Sequence, residues 1–279
     1  MSERSLDALA RQAAAGDSEA LSRLVEEVQH PVYRLALRFL GHPEDAKDAS
    51  QEILVRLITH LGQFEGRSQF MTWTYTLAVR QLMRTRRRLV ESSVRSAETF
   101  AAFLDRGLAD RDFTAEEAEY RALCADVRIS CTYGMLLCLS RPLRASYILG
   151  DAMGMSDVVA AEICGISAAA QRQRLARARR TIRTIIADRC GLVDAANPCR
   201  CGRQIRSSID AGILDRANLV FARHPRQDSG PIEIGTIERA AEQLDLALAM
   251  SEVYRSDPSF AAPREVWERV PAACPDLLA

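Results

Sequence analysis

The sequence predicts an all-α protein: two helical domains joined by a linker and followed by a mostly helical C-terminal extension. Three observations lead to this prediction. Apolar residues recur every three or four positions along the chain, and no period-two pattern lasts beyond a few residues. The 279 residues, of which 48% are hydrophobic, suffice for two or three cores. Glycine- and proline-containing breaks separate the periodic segments. This composition excludes a disordered or collagen-like chain.

The first domain is predicted to span residues 1–90 and to contain three amphipathic helices. The first helix carries an apolar stripe that Pro31 is expected to kink and that a Gly-His-Pro step ends. The stripe consists of Leu24, Val28, Val32, Leu35 and Phe39. A second helix is expected from Glu44 to Leu61. After the loop Gly62–Ser68, a third helix is expected from Phe70 to Arg88.

The next stretch, residues 91–118, has a weaker period and is predicted to be a linker. Helical spacing returns from Tyr120 to Leu139. Three cysteines of this helix fall seven residues apart and therefore on one face: Cys124, Cys131 and Cys138. Because apolar residues flank them, we interpret them as small core side chains rather than as a reactive thiol cluster.

Residues 119–189 are predicted to form a second domain that contains a helix-turn-helix. Ser156 is a favourable N-cap for a short first helix. Gly165 allows the tight turn, and Ser167 caps a longer second helix that is expected to reach Asp188.

Charge is distributed unevenly along this chain of zero formal net charge. Residues 141–190 carry 9 basic and 4 acidic side chains, whereas residues 91–140 carry 5 and 9, and the part beyond residue 190 carries 10 and 13. The basic residues concentrate in the second helix of the helix-turn-helix: Arg172, Arg174, Arg177, Arg179, Arg180 and Arg183. A solvated surface usually mixes charge signs, but the run from Gln171 to Ile186 contains no acid. The pattern favours binding of nucleic acid over a merely solvated helix face.

Two separated stretches carry a resemblance to a known family. The first contains HPEDAKDASQE at residues 42–52 and FEGRSQFMTW at residues 64–73. The second runs from Leu139 to Ile186 and contains RLARAR at residues 174–179. In this order and spacing they resemble the second and fourth conserved regions of bacterial RNA polymerase sigma factors of the extracytoplasmic-function (ECF) group. The resemblance implies a protein that binds core RNA polymerase, recognises promoter DNA and assists its melting, without enzymatic activity.

The resemblance also implies site residues. An acidic helix would dock on the polymerase through Asp48, Gln51 and Glu52; the alternative is that these residues only cap and solubilise the helix. The minus-ten element would be held by Gln63, Arg67, Ser68, Arg80, Arg84, Arg86, Arg87 and Arg88. The minus-thirty-five element would be contacted by Ser167, Ala168, Gln171, Arg172, Arg174, Arg177 and Arg179. Trp73 is interpreted as a core residue rather than as a platform for base stacking.

The extension, residues 190–279, is longer than the minimal member of this group requires and resembles a Cys-rich extension found in some members. A helix is expected from Ile237 to Tyr254, and a short one around Trp267. The acidic balance predicts that the extension folds back on the preceding domains, either as a regulatory element or as a stabilising cap. A zinc site is a further prediction, with the ligands Cys190, Cys199, Cys201 and His224.

No apolar run approaches the roughly 18–20 residues of a membrane span, and the first thirty residues lack a signal-peptide core. We therefore predict a soluble cytoplasmic protein without membrane insertion, whose eight cysteines are too sparse for a disulfide framework. An anti-sigma protein is a candidate partner beside polymerase and promoter DNA. Two other functions stay open: a free-standing helix-turn-helix regulator, and a thiol or metal sensor. The features of the first ninety residues favour the polymerase subunit over the simple regulator.

Overall fold

The structure is a computed structural model that describes residues 3–86, 96–108, 113, 115–228 and 246–268. Within these residues the regular elements are helices, and an isolated β-bridge pairs Cys190 with Cys199. The predicted all-α class is confirmed. Over the same residues, no helix combines the length and apolarity that crossing a membrane requires.

The helices of the described residues follow in chain order. They are α1 (Glu3–Ala14), α2 (Ser18–Leu40), α3 (Pro43–Thr59), α4 (Phe70–Arg84), α5 (Ala97–Gly107), α6 (Glu117–Leu137), α7 (Arg141–Tyr147), α8 (Asp157–Cys164), α9 (Ala168–Ile186), α10 (Ile205–Asp210), α11 (Leu246–Arg255) and α12 (Arg264–Glu268). A 3-10 turn covers Leu61–Gln63 and another covers Cys201–Gln204, while a π-helical turn covers Ile148–Ala152.

Of the described residues, 3–86, 156–171 and 260–268 form the first compact unit. Its core forms where α2 packs against α1, α3 and α4, and both α8 and α12 join it, on α4 and α3 respectively. Helix α2 begins where the Asp17 carboxylate accepts the Ala20 N–H at 2.9 Å, and it continues through Pro31. It ends at Gly41, whose positive φ of 74° favours glycine. The apolar stripe predicted from the sequence is buried in this core.

The described residues between 96 and 155 and between 172 and 259 form the second compact unit. Helix α6 is bound to the C-terminal extension by two buried carboxylates. Asp126 accepts the N–H groups of Phe221 and Ala222 at 2.6 and 2.8 Å. Asp257 lies 3.3 Å from the Arg128 guanidinium, and both of these side chains are buried. The extension up to residue 259, as far as the structure describes it, is therefore an integral part of this unit.

The stretch predicted to be a linker contains a helix that the sequence analysis missed. Helix α5 begins after Ser96, whose hydroxyl accepts the Thr99 N–H at 3.1 Å. Ala101 and Leu104 are buried three residues apart on its inner face. Two buried residues produce a weak periodic signal, which explains why this helix was not predicted.

The other predicted helices are present with shifted ends. The helix expected from Tyr120 starts three residues earlier, and the one expected up to Arg88 is helical to Arg84. Of the helix expected from Ile237, residues 246–254 are helical, whereas residues 237–245 lie outside the described residues. The compact units combine segments that the sequence assigned to different regions. The predicted boundaries at residues 90, 118 and 189 divide the chain by function rather than by compactness, and they stay a prediction.

Candidate functional site

The predicted polymerase-binding residues lie on the polar side of α3. Pro43 occupies the first turn with acidic residues beside it, an arrangement that suits the start of a helix. Glu52 is exposed, and Asp48 and Gln51 are partly exposed. Since residues three and four apart share a helix face, the three side chains form one polar surface. The Gln81 amide donates to the Glu52 carboxylate, and the Gln51 amide donates to the Glu265 carbonyl at 2.6 Å.

A cleft of about 330 Å³ brings together several of the residues predicted to hold the minus-ten element. Gln63, Arg67, Ser68 and Arg80 all line it, although the last comes from α4 and the others from the preceding loop. Arg67 is largely exposed and lies 3.0 Å from its loop neighbour Glu65. Positive charge and hydrogen-bonding groups thus face a common space.

Trp73 lies on the border between the core and this cleft. Its ring packs 5.6 Å from both the Phe64 and Phe70 rings, which accounts for the core interpretation. The indole is nevertheless only partly buried and lines the cleft. An aromatic surface of this kind can stack against a base.

The remaining predicted minus-ten contacts are basic residues at the end of α4 and beyond it. Arg84 and Arg86 are exposed, whereas Arg87 and Arg88 lie outside the described residues. The lining residues that were not predicted include Glu162, which comes from α8. Its position depends on the packing of α8 against α4, for which the local sequence contains no signal.

The capping predicted for the helix-turn-helix is confirmed. The Ser156 hydroxyl accepts the Val159 N–H at 3.4 Å at the start of α8. Gly165 ends this helix with a φ of 65°, a conformation that favours glycine. The Ser167 hydroxyl accepts the Ala170 N–H at 3.2 Å and so caps α9.

The surface of α9 differs in two respects from the predicted minus-thirty-five contacts. Arg172 and Arg177 are exposed and Arg174 is partly exposed, but Gln171 is buried, so its amide is not presented for contact with a base. Arg179 is half exposed, and its guanidinium makes two hydrogen bonds to the Asp151 carboxylate, at 2.9 and 2.6 Å. Ser167 is exposed and Ala168 partly exposed.

The predicted metal ligands are only partly brought together. Cys190, Cys199 and Cys201 line an apolar cavity of about 220 Å³, along with Cys124 and Cys131. In the part of the chain that the structure describes, no group of three or more His, Cys, Asp and Glu side chains lies in a geometry that could hold a metal ion. Burial raises the pKa of the Cys190 thiol to about 11, so this thiol is protonated near neutral pH. The geometry of the described residues does not support a metal site formed by the three cysteines and His224, and zinc binding stays a prediction.

Comparison with known proteins identifies the family. Residues 24–91 match the family described as Sigma-70 region 2. The chain is 30% identical over 183 residues to the RNA polymerase sigma factor CnrH of Cupriavidus metallidurans, covering 64% of this chain and 92% of that protein. It is 29% identical over 171 residues to the RNA polymerase sigma-H factor of Pseudomonas aeruginosa, covering 60% and 86%.

A third relative names the group directly. The chain is 29% identical over 187 residues to the ECF RNA polymerase sigma-E factor of Escherichia coli, covering 65% of this chain and 95% of that protein. Each of these three matches spans most of the relative and covers 60–65% of this chain. The predicted function is confirmed at this level. The chain belongs to the ECF group of RNA polymerase sigma factors and acts in transcription initiation.

Proposed function

We propose that this sigma factor docks on core RNA polymerase through the polar face of α3, formed by Asp48, Gln51 and Glu52. The exposure of these side chains on one face, with the apolar face of α3 buried, supports the proposal. Asp48→Arg combined with Glu52→Arg should abolish co-purification with core polymerase and leave the helical content unchanged, because losing the Gln81–Glu52 hydrogen bond costs about 1–3 kcal/mol, less than the stability of a typical domain. Glu26→Arg, an exposed charge reversal on α2, is the control. Undiminished binding by the double variant would reject this surface.

The minus-ten element is proposed to bind as an unpaired strand in the cleft of about 330 Å³. The observation that carries this proposal is the convergence of Gln63, Arg67, Ser68 and Arg80 on one cleft beside Trp73. Such a cleft can accept a flipped base, with cations next to the phosphates and an indole for stacking. Trp73→Leu should lower affinity for single-stranded minus-ten DNA by about fivefold to more than tenfold, because stacking contributes about 1–3 kcal/mol per base. Equal affinity of the variant would exclude stacking.

Helix α9 is proposed to enter the major groove of the minus-thirty-five element, with Arg172 and Arg174 as base readers and Arg177 as a phosphate contact. Gln171 is omitted because it is buried. Arg172→Ala should change base preference at single positions. Arg177→Ala should weaken binding to all promoter sequences alike and lower the slope of log affinity against log salt concentration by about one. Identical uniform losses for both variants would reject the assignment of readers.

The family makes core polymerase and promoter DNA the partners of this chain. We propose further that the chain works in the cytoplasm, performs no chemistry itself and is held by an anti-sigma protein until a signal arrives. Run-off transcription with purified core polymerase on genomic promoter fragments tests the two partners, and fractionation of cells tests the cytoplasmic location. Affinity capture from uninduced cells tests for an anti-sigma protein, and polymerase subunits should then be absent from the captured complex.

A further inference from the structure

The final described segment, residues 260–268, belongs to the first compact unit and packs on the helix proposed to bind polymerase. Helix α12 packs on α3. Two hydrogen bonds fix the segment: the Gln51 amide donates to the Glu265 carbonyl at 2.6 Å, and the Ala262 N–H donates to His30 Nδ1 on α2 at 2.9 Å. The segment is thus attached to two helices of this unit.

Burial anchors the same segment. Val266 of α12 has no exposed surface, and Phe260 is 1% exposed. The side chains of Arg264 and Glu265, which lie between Phe260 and Val266 in the sequence, are exposed. An apolar residue on one side of a short helix and charged residues on the other indicate a docked element with a defined orientation.

We propose that residues 260–268 occupy the polymerase-binding face of α3, so that this segment and core RNA polymerase compete for the same surface. The inference rests on the proposed function of Asp48, Gln51 and Glu52. Gln51 lies at the centre of that trio, and its amide is already engaged by the segment. A partner that engages Asp48, Gln51 and Glu52 together would have to displace this backbone from Gln51.

Competition has a defined energetic form. When only a fraction of molecules has the segment released, the apparent Kd for core polymerase rises by the inverse of that fraction. A substitution that releases the segment should therefore strengthen binding by the factor that the segment had cost. A stabilising cap predicts the opposite pattern: the variant loses thermal stability and gains no affinity.

The test uses the full-length chain with Val266→Asp, which places a charge at a buried anchor. Arg264→Asp is the matched control, since it adds more negative charge at an exposed position of the same helix. We expect Val266→Asp to bind core polymerase about tenfold more tightly, a release from roughly one open molecule in ten. The control should stay within about twofold. Hydrogen exchange at the Ala262 amide reports whether the segment is released, and binding of polymerase to the unsubstituted chain should also remove that protection.

Each outcome decides between the possibilities. Loss of Ala262 protection without a gain in affinity overturns the competition. If Ala262 stays protected in Val266→Asp, a chain ending at residue 259 replaces that variant and is judged by the same affinity criterion. Failure of the proposed docking surface has a different signature. In that case, Asp48→Arg with Glu52→Arg leaves core binding intact whether or not the segment is released.

Discussion

The buried ion pair between Arg128 and Asp257 should carry much of the attachment of the C-terminal extension to α6. The side chains are 1% and 0% exposed, and the Arg128 guanidinium also donates to the Ser256 carbonyl at 3.0 Å. Asp257→Ala would leave a cation without its carboxylate in a site from which water is excluded. Removing one partner of a buried pair costs about 3–5 kcal/mol. That is a large part of the roughly 5–15 kcal/mol that stabilises a domain.

An exposed ion pair on the same helix is the control. Arg121 Nε lies 2.7 Å from Glu117 Oε1, and both side chains are more than 70% exposed. Glu117→Ala should cost less than about 1 kcal/mol because water screens this pair. Urea denaturation followed by circular dichroism at 222 nm gives both values, and hydrogen exchange in α6 assigns the loss to the second unit.

A double variant separates the attraction between the two charges from the free-energy cost of burying them. Replacing both partners by apolar residues, Arg128→Met with Asp257→Leu, should recover most of the stability that Asp257→Ala loses, because no charge remains buried. If Asp257→Ala costs no more than Glu117→Ala, the extension is not held by this pair. If the apolar double variant is as unstable as Asp257→Ala, lost packing rather than an uncompensated charge is the cause.

Three further predictions concern His30, Gly134 and Glu162. Burial lowers the pKa of His30, so near pH 6 the folded chain binds fewer protons than the unfolded chain. The free energy of unfolding should therefore fall as the pH drops below about 6.5 and level off below the lowered pKa. Urea midpoints measured between about pH 5 and 8 should depend less on pH for His30→Gln than for the unsubstituted chain. Gly134→Ala should lower the free energy of unfolding by about 1–3 kcal/mol, since a Cβ there would lie 2.6 Å from the Phe100 ring. The control is Gly62→Ala, whose Cβ would meet nothing within 4 Å and which should leave the melting temperature unchanged. A gain in stability for Gly134→Ala, as expected for an unhindered helical glycine, would contradict this packing. Glu162→Gln removes a negative charge from the proposed strand-binding cleft. Fluorescence anisotropy at low salt should show about two- to fivefold higher affinity for single-stranded DNA, and added salt should reduce this increase.

Local pattern sufficed for much of this fold because helix periodicity and capping act over a few residues. The caps at Ser156 and Ser167 and the glycine turn at Gly165 are all confirmed. Periodicity also contains a signal that the sequence interpretation did not use. Gln171, Leu175, Ala178 and Ile182 are spaced by four, three and four residues and are all buried. The position of Gln171 on this stripe indicates an inward side chain, even though its chemistry suggested a base contact.

Other features could not be read from local pattern because they join residues distant in sequence. The Asp151 carboxylate engages Arg179 from a π-helical turn 28 residues earlier. Likewise, the Arg128–Asp257 pair spans 129 positions. Which carboxylate meets which arginine depends on tertiary packing, and composition alone only showed that both charge signs are abundant. The cavity lined by five cysteines follows the same logic, since its walls come from α6, the segment after α9 and α11.

The attachment of residues 260–268 to helices near the N-terminus has a consequence for the chain during its synthesis. Gln51 and Glu265 are 214 positions apart, and His30 and Ala262 are 232 apart. At about 5–20 residues per second, the ribosome needs roughly 10–40 s to proceed from the end of α4 to the end of α12. During this interval the helices α1–α4 exist without the segment that later lies on them. In a nascent chain, α3 therefore stays uncovered by this segment until α12 has been synthesised.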